Sequence, residues 1–370
     1  MSVARKQVVM LSTEAVDRRS HDYVSLGAVT KRLAKLLGFS FAGDYRRATR
    51  NGASNYFVPL RTLLIDEAEV LGIRDEDDLF GGVVPYPFVA TKAITHDVVS
   101  EHARAPEGWS HALGGMLSSV VLPGYSAFSE TDVAIAGRLL LRLGCVRLKP
   151  AHHLDGLAQK IVTNECELEG AVAALDKTNL REHGVVLEQN LESPTTYSIG
   201  EVHLHGRCIA YYGTQQTTTD NHGKEVYGGT DLCIVQGSIE DLLRLDLTQS
   251  MRIAATQALD YDRAVTRAFP TFFASRRNYD VVQGADEQGK SLSGVLEQSW
   301  RFDGTSAAEV DALYAFAADP TLRMVRASTH ELYSSAMPPP ANADVYYDGA
   351  DEHAGRLLKY CVIENHGCAA

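Results

Sequence analysis

Two segments in the last third of the chain carry carboxylates at a spacing suited to metal ions. Arg277-Asn278-Tyr279-Asp280 precedes a polar turn, Asp286-Glu287-Gln288-Gly289-Lys290, and Glu297-Gln298-Ser299-Trp300-Arg301 follows it. Tyr279 to Val282 and Gly294 to Glu297 read as strands, so the whole reads as a hairpin. If it is symmetric about Gln288 and Gly289, Asp280 falls opposite Glu297 and Asn278 opposite Ser299. Directly opposed residues on antiparallel strands share a face about 5 Å apart. Two carboxylates so placed repel unless a cation lies between them, and Mg2+ takes such oxygen ligands.

A magnesium–nucleotide site also needs cations for the phosphates and a polar edge with a backbone hinge for adenine. Lys149 ends a short apolar strand, Cys145-Val146-Arg147-Leu148-Lys149-Pro150, where burial calls for a partner. Lys92 lies in Phe88-Val89-Ala90-Thr91-Lys92-Ala93, and Glu188 in Val185-Val186-Leu187-Glu188-Gln189-Asn190-Leu191. Taken singly, either residue also reads as an ordinary surface charge.

In this order the segments resemble the ATP-grasp superfamily, from about Pro85 to Gly304. More loosely, the whole chain looks like a bacterial family sometimes labelled biotin-carboxylase-like. The resemblance implies that Lys92 and Lys149 approach the phosphates, with Lys149-Pro150 matching the family's strand-ending Lys-Pro. It implies that His152 to Gln159, with Gly156, forms the loop over the phosphates. Glu188 would accept from the adenine amino group and Leu191 would form apolar wall. Asp280, Glu297 and Ser299 would hold the magnesium ions, Ser299 standing where the family has asparagine. Arg301 and Arg277 would stabilise charge on the transferring group.

The fold implied is α/β and α+β, the ATP-grasp architecture. An N-terminal α/β domain (1–95) leads to a first ATP-binding lobe (96–190), then a second lobe with a C-terminal extension (191–370). The cofactors implied are ATP and Mg2+. The reaction implied is that of a ligase, which activates a carboxylate as an acyl phosphate for an amine or other nucleophile. A small-molecule kinase and a noncatalytic ATP-binding protein are the alternatives; a biotin carboxylase proper fits the chain length less well.

Other motifs compete for attention. Gly284 to Ser291 satisfies the G-x-x-x-x-G-K-[ST] pattern of a P-loop. A P-loop must open a helix, however, and here a glycine and a strand-like segment follow, so an accidental match in a hairpin turn is the better reading. His203 and His205 fall on one face of a strand and suggest a metal pair, though a solvated strand fits as well. His152-His153 could touch phosphate or stand exposed. The polar run Gly213 to Asn221 reads as a substrate loop or a surface turn.

The elements that must position these residues alternate in the first third of the chain, as in an open α/β unit. Val8 to Ser12 reads as a strand, and Tyr23 to Leu37 as a helix stopped by Gly38. Strand ends at Phe57-Val58-Pro59 and Val83-Val84-Pro85 flank a helical Leu63 to Leu71. Ser129 starts a helix running to Leu143 and closed by Gly144. Leu168 to Leu180, Asp241 to Ala268 and Ala307 to Ala317 read as helical. Tyr197 to Val202 and His203 to Tyr212 read as antiparallel strands. Pro338-Pro339-Pro340 reads as an extended linker before strands near Tyr346 and from Leu358 to Ile363.

Composition bounds the rest. The chain has 370 residues, 45% hydrophobic and 22% charged, with a formal net charge of -12 from 47 acidic and 35 basic residues. That length suits two or three lobes, and the balance repels a polyphosphate backbone, so nucleic acid is not an expected partner. The six cysteines are scattered without a Cys-x-x-Cys pair, which argues for reduced thiols and against a zinc ribbon. No apolar run reaches membrane length. The expected setting is the cytoplasm, the expected partner a small-molecule substrate, and a homodimer is compatible with the sequence.

Overall fold

A computed structural model describes residues 6–13, 16–45, 54–151, 159–334 and 338–364. The chain opens with β1 (Lys6–Leu11), α1 (His21–Leu37), β2 (Ser40–Asp44) and β3 (Ser54–Pro59), in a parallel sheet ordered β2-β1-β3. Ser20 caps α1 by accepting from the Tyr23 amide, and Gly38 ends it in the left-handed region at φ 71°. Then come β4 (Leu63–Leu64), α2 (Ile65–Leu71) and β5 (Gly82–Val84).

A four-stranded antiparallel sheet follows α3 (His111–Leu117). Its strands are β6 (Gly124–Ala127), β7 (Val146–Pro150), β8 (Lys160–Val162) and β9 (Val185–Gln189), in the order β6-β9-β7-β8. It is backed by α4 (Glu130–Leu140), α5 (Glu165–Ala173) and α6 (Lys177–His183). The helix expected from Leu168 to Leu180 is thus two helices. Asp176 breaks it by turning its carboxylate onto the Thr178 and Asn179 amides as a new N-cap.

The largest sheet has eight strands. They are β10 (Glu192–Leu204), β11 (Arg207–Thr219), β12 (Glu225–Gln236), β14 (Arg276–Ala285), β15 (Ser291–Ser299), β16 (Met324–Tyr333), β17 (Ala343–Asp351) and β18 (Gly355–Glu364). Their order is β15-β14-β10-β11-β12-β16-β18-β17, and every pairing is antiparallel. The short β13 (Phe273–Ala274) leaves to pair with β5, tying this lobe to the N-terminal unit. The segment expected to be helical from Asp241 is a short α7 (Ile239–Leu242) and a long α8 (Gln249–Ala268).

Helix α8 buries Ala254, Ala258, Tyr261 and Val265, at helical spacing, against Ile199, Tyr279 and Val281. Helix α9 (Ser306–Ala318) covers the opposite face with α1, in a core that includes Val202, Tyr211, Ile234 and Val325. Each fully buried Val or Leu contributes about 1.5–3 kcal/mol. Gly200 permits one close approach: a Cβ there would lie 2.2 Å from the Tyr211 ring.

Two strand expectations are corrected. β10 runs on through His203 to Leu204, and the reversal comes at His205, with φ 46°, and Gly206. The polar run from Gly213 is neither loop nor surface turn up to Thr219, because β11 continues through it, paired with β12. Threonines suit a strand, and a strand bordering a cleft accommodates such polar side chains as well as a loop does. Among the described residues no helix is long and apolar enough to cross a membrane.

Candidate functional site

Two sheets face each other across a cleft of about 990 Å3. One wall is β7 and β9 of the four-stranded sheet. In β7, Val146 and Leu148 point into the helix-backed core, so Arg147 and Lys149 alternate onto the cleft side. Lys149 pairs with Glu188 of β9, and both are nearly fully buried. The other Glu188 oxygen lies 3.4 Å from His96 Nε2, itself 3% exposed. Burial alone would raise the Glu188 carboxyl, but Lys149 and His96 outweigh it and hold it at about 2. Leu191, just past β9, packs with Leu122 and Val282 as an apolar patch of the same cleft.

The other wall is the β14–β15 hairpin. Asp280 stands opposite Glu297 and Asn278 opposite Ser299, the register expected. The route to it differs. The turn spans Asp286 to Lys290, so near it Ala285 faces Ser291 and Val281 faces Val295, a ladder centred on Gln288 alone. One extra residue, Leu296, bulges from β15 and moves the ladder by one step, which brings Glu297 onto the Asp280 face. The Gly284–Ser291 motif is therefore a hairpin turn, in which Asp286 accepts from the Gln288 and Lys290 amides, and β15 rather than a helix follows it.

Lys92, 6% exposed in a single 3-10 turn, reaches Glu297 Oε2 at 2.6 Å. Gln298, on the reverse face of β15, donates to the carbonyls of Val89 (3.0 Å) and Thr91 (2.8 Å) and so fastens that turn to the hairpin. Asp280 accepts from Gln215 Nε2 at 2.7 Å. Burial and the neighbouring Glu297 hold the Asp280 carboxyl well above its usual range. Burial acts on Glu297 too, but Lys92 more than offsets it and holds that carboxyl low. Two facing carboxylates with one lysine leave negative charge uncompensated, which is what a hard divalent cation requires of its oxygen ligands.

Arg276 lies beneath the cleft, behind the lining residues Ser299, Asp303 and Thr305. It is 0% exposed and donates to Glu309, to Asp303 (2.5 Å), to Thr305 and to the Arg301 carbonyl (2.6 Å). It also donates to Ser299 Oγ at 3.3 Å, which turns that hydroxyl's acceptor capacity toward a fixed cation. The Arg301 side chain lies at the junction of the cleft with a second cavity of about 1070 Å3, lined in part by Ser12, His21, Lys224 and Lys359.

The structure brings together Lys92, Lys149, Glu188, Leu191, Asp280, Glu297, Ser299 and Arg301 around one cleft. Arg277 is not among them. Side chains alternate along β14, so Arg277 points to the other face, 3.2 Å from Asp262 and over the Phe272 ring. The same alternation from Asp280 and Asn278 would have selected Arg276. Arg147 was legible in the same way, whereas His96 and Gln215 carried no signal in sequence. The loop expected from His152, with His153 and Gly156, lies outside the described residues except for Gln159, which accepts from Arg147 at 2.9 Å. The His203–His205 pair does not form, because the His205 ring turns away at the reversal to pack on Phe39 and Tyr56.

The architecture has close counterparts in shape. A biotin carboxylase–β,γ-ATP complex from Campylobacter jejuni aligns at TM-score 0.55 and 11% identity, over 96% of this chain and 87% of that one. An N5-carboxyaminoimidazole synthase from Aspergillus clavatus, in complex with ADP and 5-aminoimidazole ribonucleotide, aligns at 0.51 and 11%, over 98% and 94%. An N5-carboxyaminoimidazole synthetase from Staphylococcus aureus complexed with ADP aligns at 0.51 and 12%, over 97% and 93%. At such identities the likeness is one of fold, and the fold is that of the ATP-grasp superfamily. No curated protein matches the chain. A family model described as "Protein of unknown function (DUF3182)" matches residues 8–361, and the chain belongs to that family.

Proposed function

We propose that the protein is an ATP- and Mg2+-dependent ligase that activates a carboxylate as an acyl phosphate for attack by an amine or another nucleophile. The observation that carries this reading is the pairing of the two cleft walls. A buried, charge-balanced Lys149–Glu188–His96 group faces a carboxylate pair, Asp280 and Glu297, supplied with only one lysine. The neighbouring structures crystallised with ATP or ADP support nucleotide as the occupant. On this reading 96–190 and 191–370 are the two lobes that clamp it, behind an N-terminal domain, 1–95.

Glu188, Gln189 and Leu191 would border the adenine, with Leu191 and Val282 giving it apolar contact. Lys149, Arg147 and Lys92 would approach the phosphates, and Arg301 the group in transfer. Asp280 and Glu297 fit Mg2+ as hard oxygen ligands whose mutual repulsion it would relieve; Ser299, engaged by Arg276, fits less well. When bound, Mg2+ would neutralise charge on the phosphate oxygens. The protein's own share is to orient the reactants and exclude water from the cleft. Because the second cavity meets the first at Arg301 and Asp303, it would hold the carboxylate acceptor.

Calorimetry with ATP and Mg2+ tests the site. Lys149→Ala and Glu297→Ala are expected to weaken binding at least about tenfold, a loss of 1.4 kcal/mol or more, and Lys290→Ala to leave it unchanged. Loss on Lys290→Ala alone would transfer the nucleotide to the hairpin turn and end this reading. The Ser299–Arg276 contact favours a second reading, nucleotide binding without turnover. ATP that binds and is recovered intact, with no ADP and no amide, ester or phosphomonoester formed with any acceptor, would support it.

A further inference from the structure

On the sheet face away from the cleft, Glu201 and His203 of β10 and Cys208 of β11 bring one carboxylate oxygen, one ring nitrogen and one sulfur within 4.8 Å of one another. Strand geometry dictates the grouping. Glu201 and His203 are two residues apart and so share a face, and Cys208 is the cross-strand partner of His203. All three are partly exposed, next to the β10–β11 reversal.

Both neighbours meet the same ring atom. His203 Nε2 lies 2.5 Å from Glu201 Oε1 and 3.7 Å from Cys208 Sγ. A nucleophile–base–orienter relay needs its acid and its nucleophile on opposite ring nitrogens. Convergence on one nitrogen is instead the arrangement of ligands around a common centre. In a tetrahedral zinc site, with Zn–N of about 2.0 Å and Zn–S of about 2.3 Å, the N···S edge is roughly 3.5 Å, close to the distance found. The O···N separation must open to roughly 3.3 Å, which a side-chain rotation of Glu201 supplies.

The surroundings are fixed as ligand supports are. Glu201 Oε2 accepts from the Ile239 amide at 2.7 Å, which leaves Oε1 aimed at the cluster. The Cys208 thiol donates to the Gly237 carbonyl at 3.2 Å, so that carbonyl, or a water, stands ready as a fourth ligand once the thiol is ionised. Cys208 and Glu201 together push the His203 imidazole up to about 10, so an incoming ion must displace that proton as well as the thiol's.

We propose that Glu201, His203 and Cys208 form a binding site for one borderline-soft divalent ion, zinc in the first instance, separate from any magnesium in the cleft. Thiolate and imidazole ligands select zinc or cobalt over magnesium and calcium. Bound there, the ion clamps the β10–β11 hairpin to the turn that begins α7.

The test is a Co2+ titration of the full chain under reducing conditions with Mg2+ in excess. A thiolate-to-cobalt charge-transfer absorption is expected to saturate at one equivalent and to be displaced by equimolar Zn2+. It should vanish in Cys208→Ser and weaken at least tenfold in His203→Gln, with ATP binding retained in both. Should a variant fail to fold, alkylation of the wild-type protein decides: Zn2+ is expected to slow modification of Cys208 at least tenfold. Absence of the absorption in the wild type, its survival in both variants, or alkylation of Cys208 indifferent to Zn2+ would each overturn the proposal.

Discussion

The two walls of the cleft solve opposite electrostatic problems. On β7 and β9 a single buried carboxylate, Glu188, is met by Lys149 and by His96, and no demand for outside charge remains. On β14 and β15 two carboxylates face each other and only Glu297 has a lysine, while Asp280 has the amide of Gln215. The first wall is balanced by itself; the second is held in an arrangement that costs free energy, a cost that a bound cation would relieve. A site in need of a ligand is thus recognised by imbalance rather than by how many charged residues it contains.

The largest expected effect lies on the balanced wall. Glu188→Gln should lower stability by about 3 kcal/mol at pH 7, from a carboxyl held at about 2 against an ordinary 4.5. A depressed acid contributes stability above its unfolded value, so the gap should close as pH falls from about 4.5 toward 2. Urea unfolding of both proteins across that range measures it, and a gap independent of pH would show that Glu188 acts by packing alone.

On the unbalanced wall the sign should reverse. Asp280→Asn removes the repulsion and should stabilise the metal-free protein by up to about 1 kcal/mol. The same change should weaken Mg2+-dependent ATP binding at least about tenfold. Melting curves and calorimetry together test this; a variant that loses stability without losing Mg2+ dependence would erase the contrast between the walls.

The smallest effect should come from the fastener between them. Gln298→Ala leaves the Val89 and Thr91 carbonyls without their donor and should cost about 1 kcal/mol of stability. Because Lys92 rides on that turn, ATP affinity should fall about threefold, well short of losing the lysine itself. Calorimetry against Lys92→Ala ranks the two, and equal losses would mean that Gln298 touches the nucleotide directly.

Much of this geometry was legible in the sequence because strands alternate. Alternation gives the faces of Asp280 and Lys149, whereas Glu297 reaches the Asp280 face only through the bulge at Leu296. Gly38 marked the end of α1, which begins at His21, two residues before the expected Tyr23. Arg277 was misassigned by ignoring the same rule one residue away. His96 and Gln215 were not legible, since each meets its carboxylate through long-range packing that no local pattern encodes. The Glu201–His203–Cys208 grouping lay between: its first pair follows from spacing, but Cys208 joins only once the reversal is known to fall at His205 and Gly206.

The bulge at Leu296 has a consequence for how this surface can be lost. Opposed positions in a hairpin obey an odd–even rule, and Leu296 is the residue that changes the parity. Delete it and Glu297 would follow Val295 directly, still opposite Asp280. Flatten the bulge with Leu296 in place, and the ladder centred on Gln288 would run on unbroken, setting Glu297 beside Tyr279 on the helix-packed face. Every residue that supplies charge would still be present, in unchanged order. One local irregularity of the backbone therefore separates a cleft with its two acids side by side from a sheet with them on opposite sides, a difference to which amino-acid composition is blind.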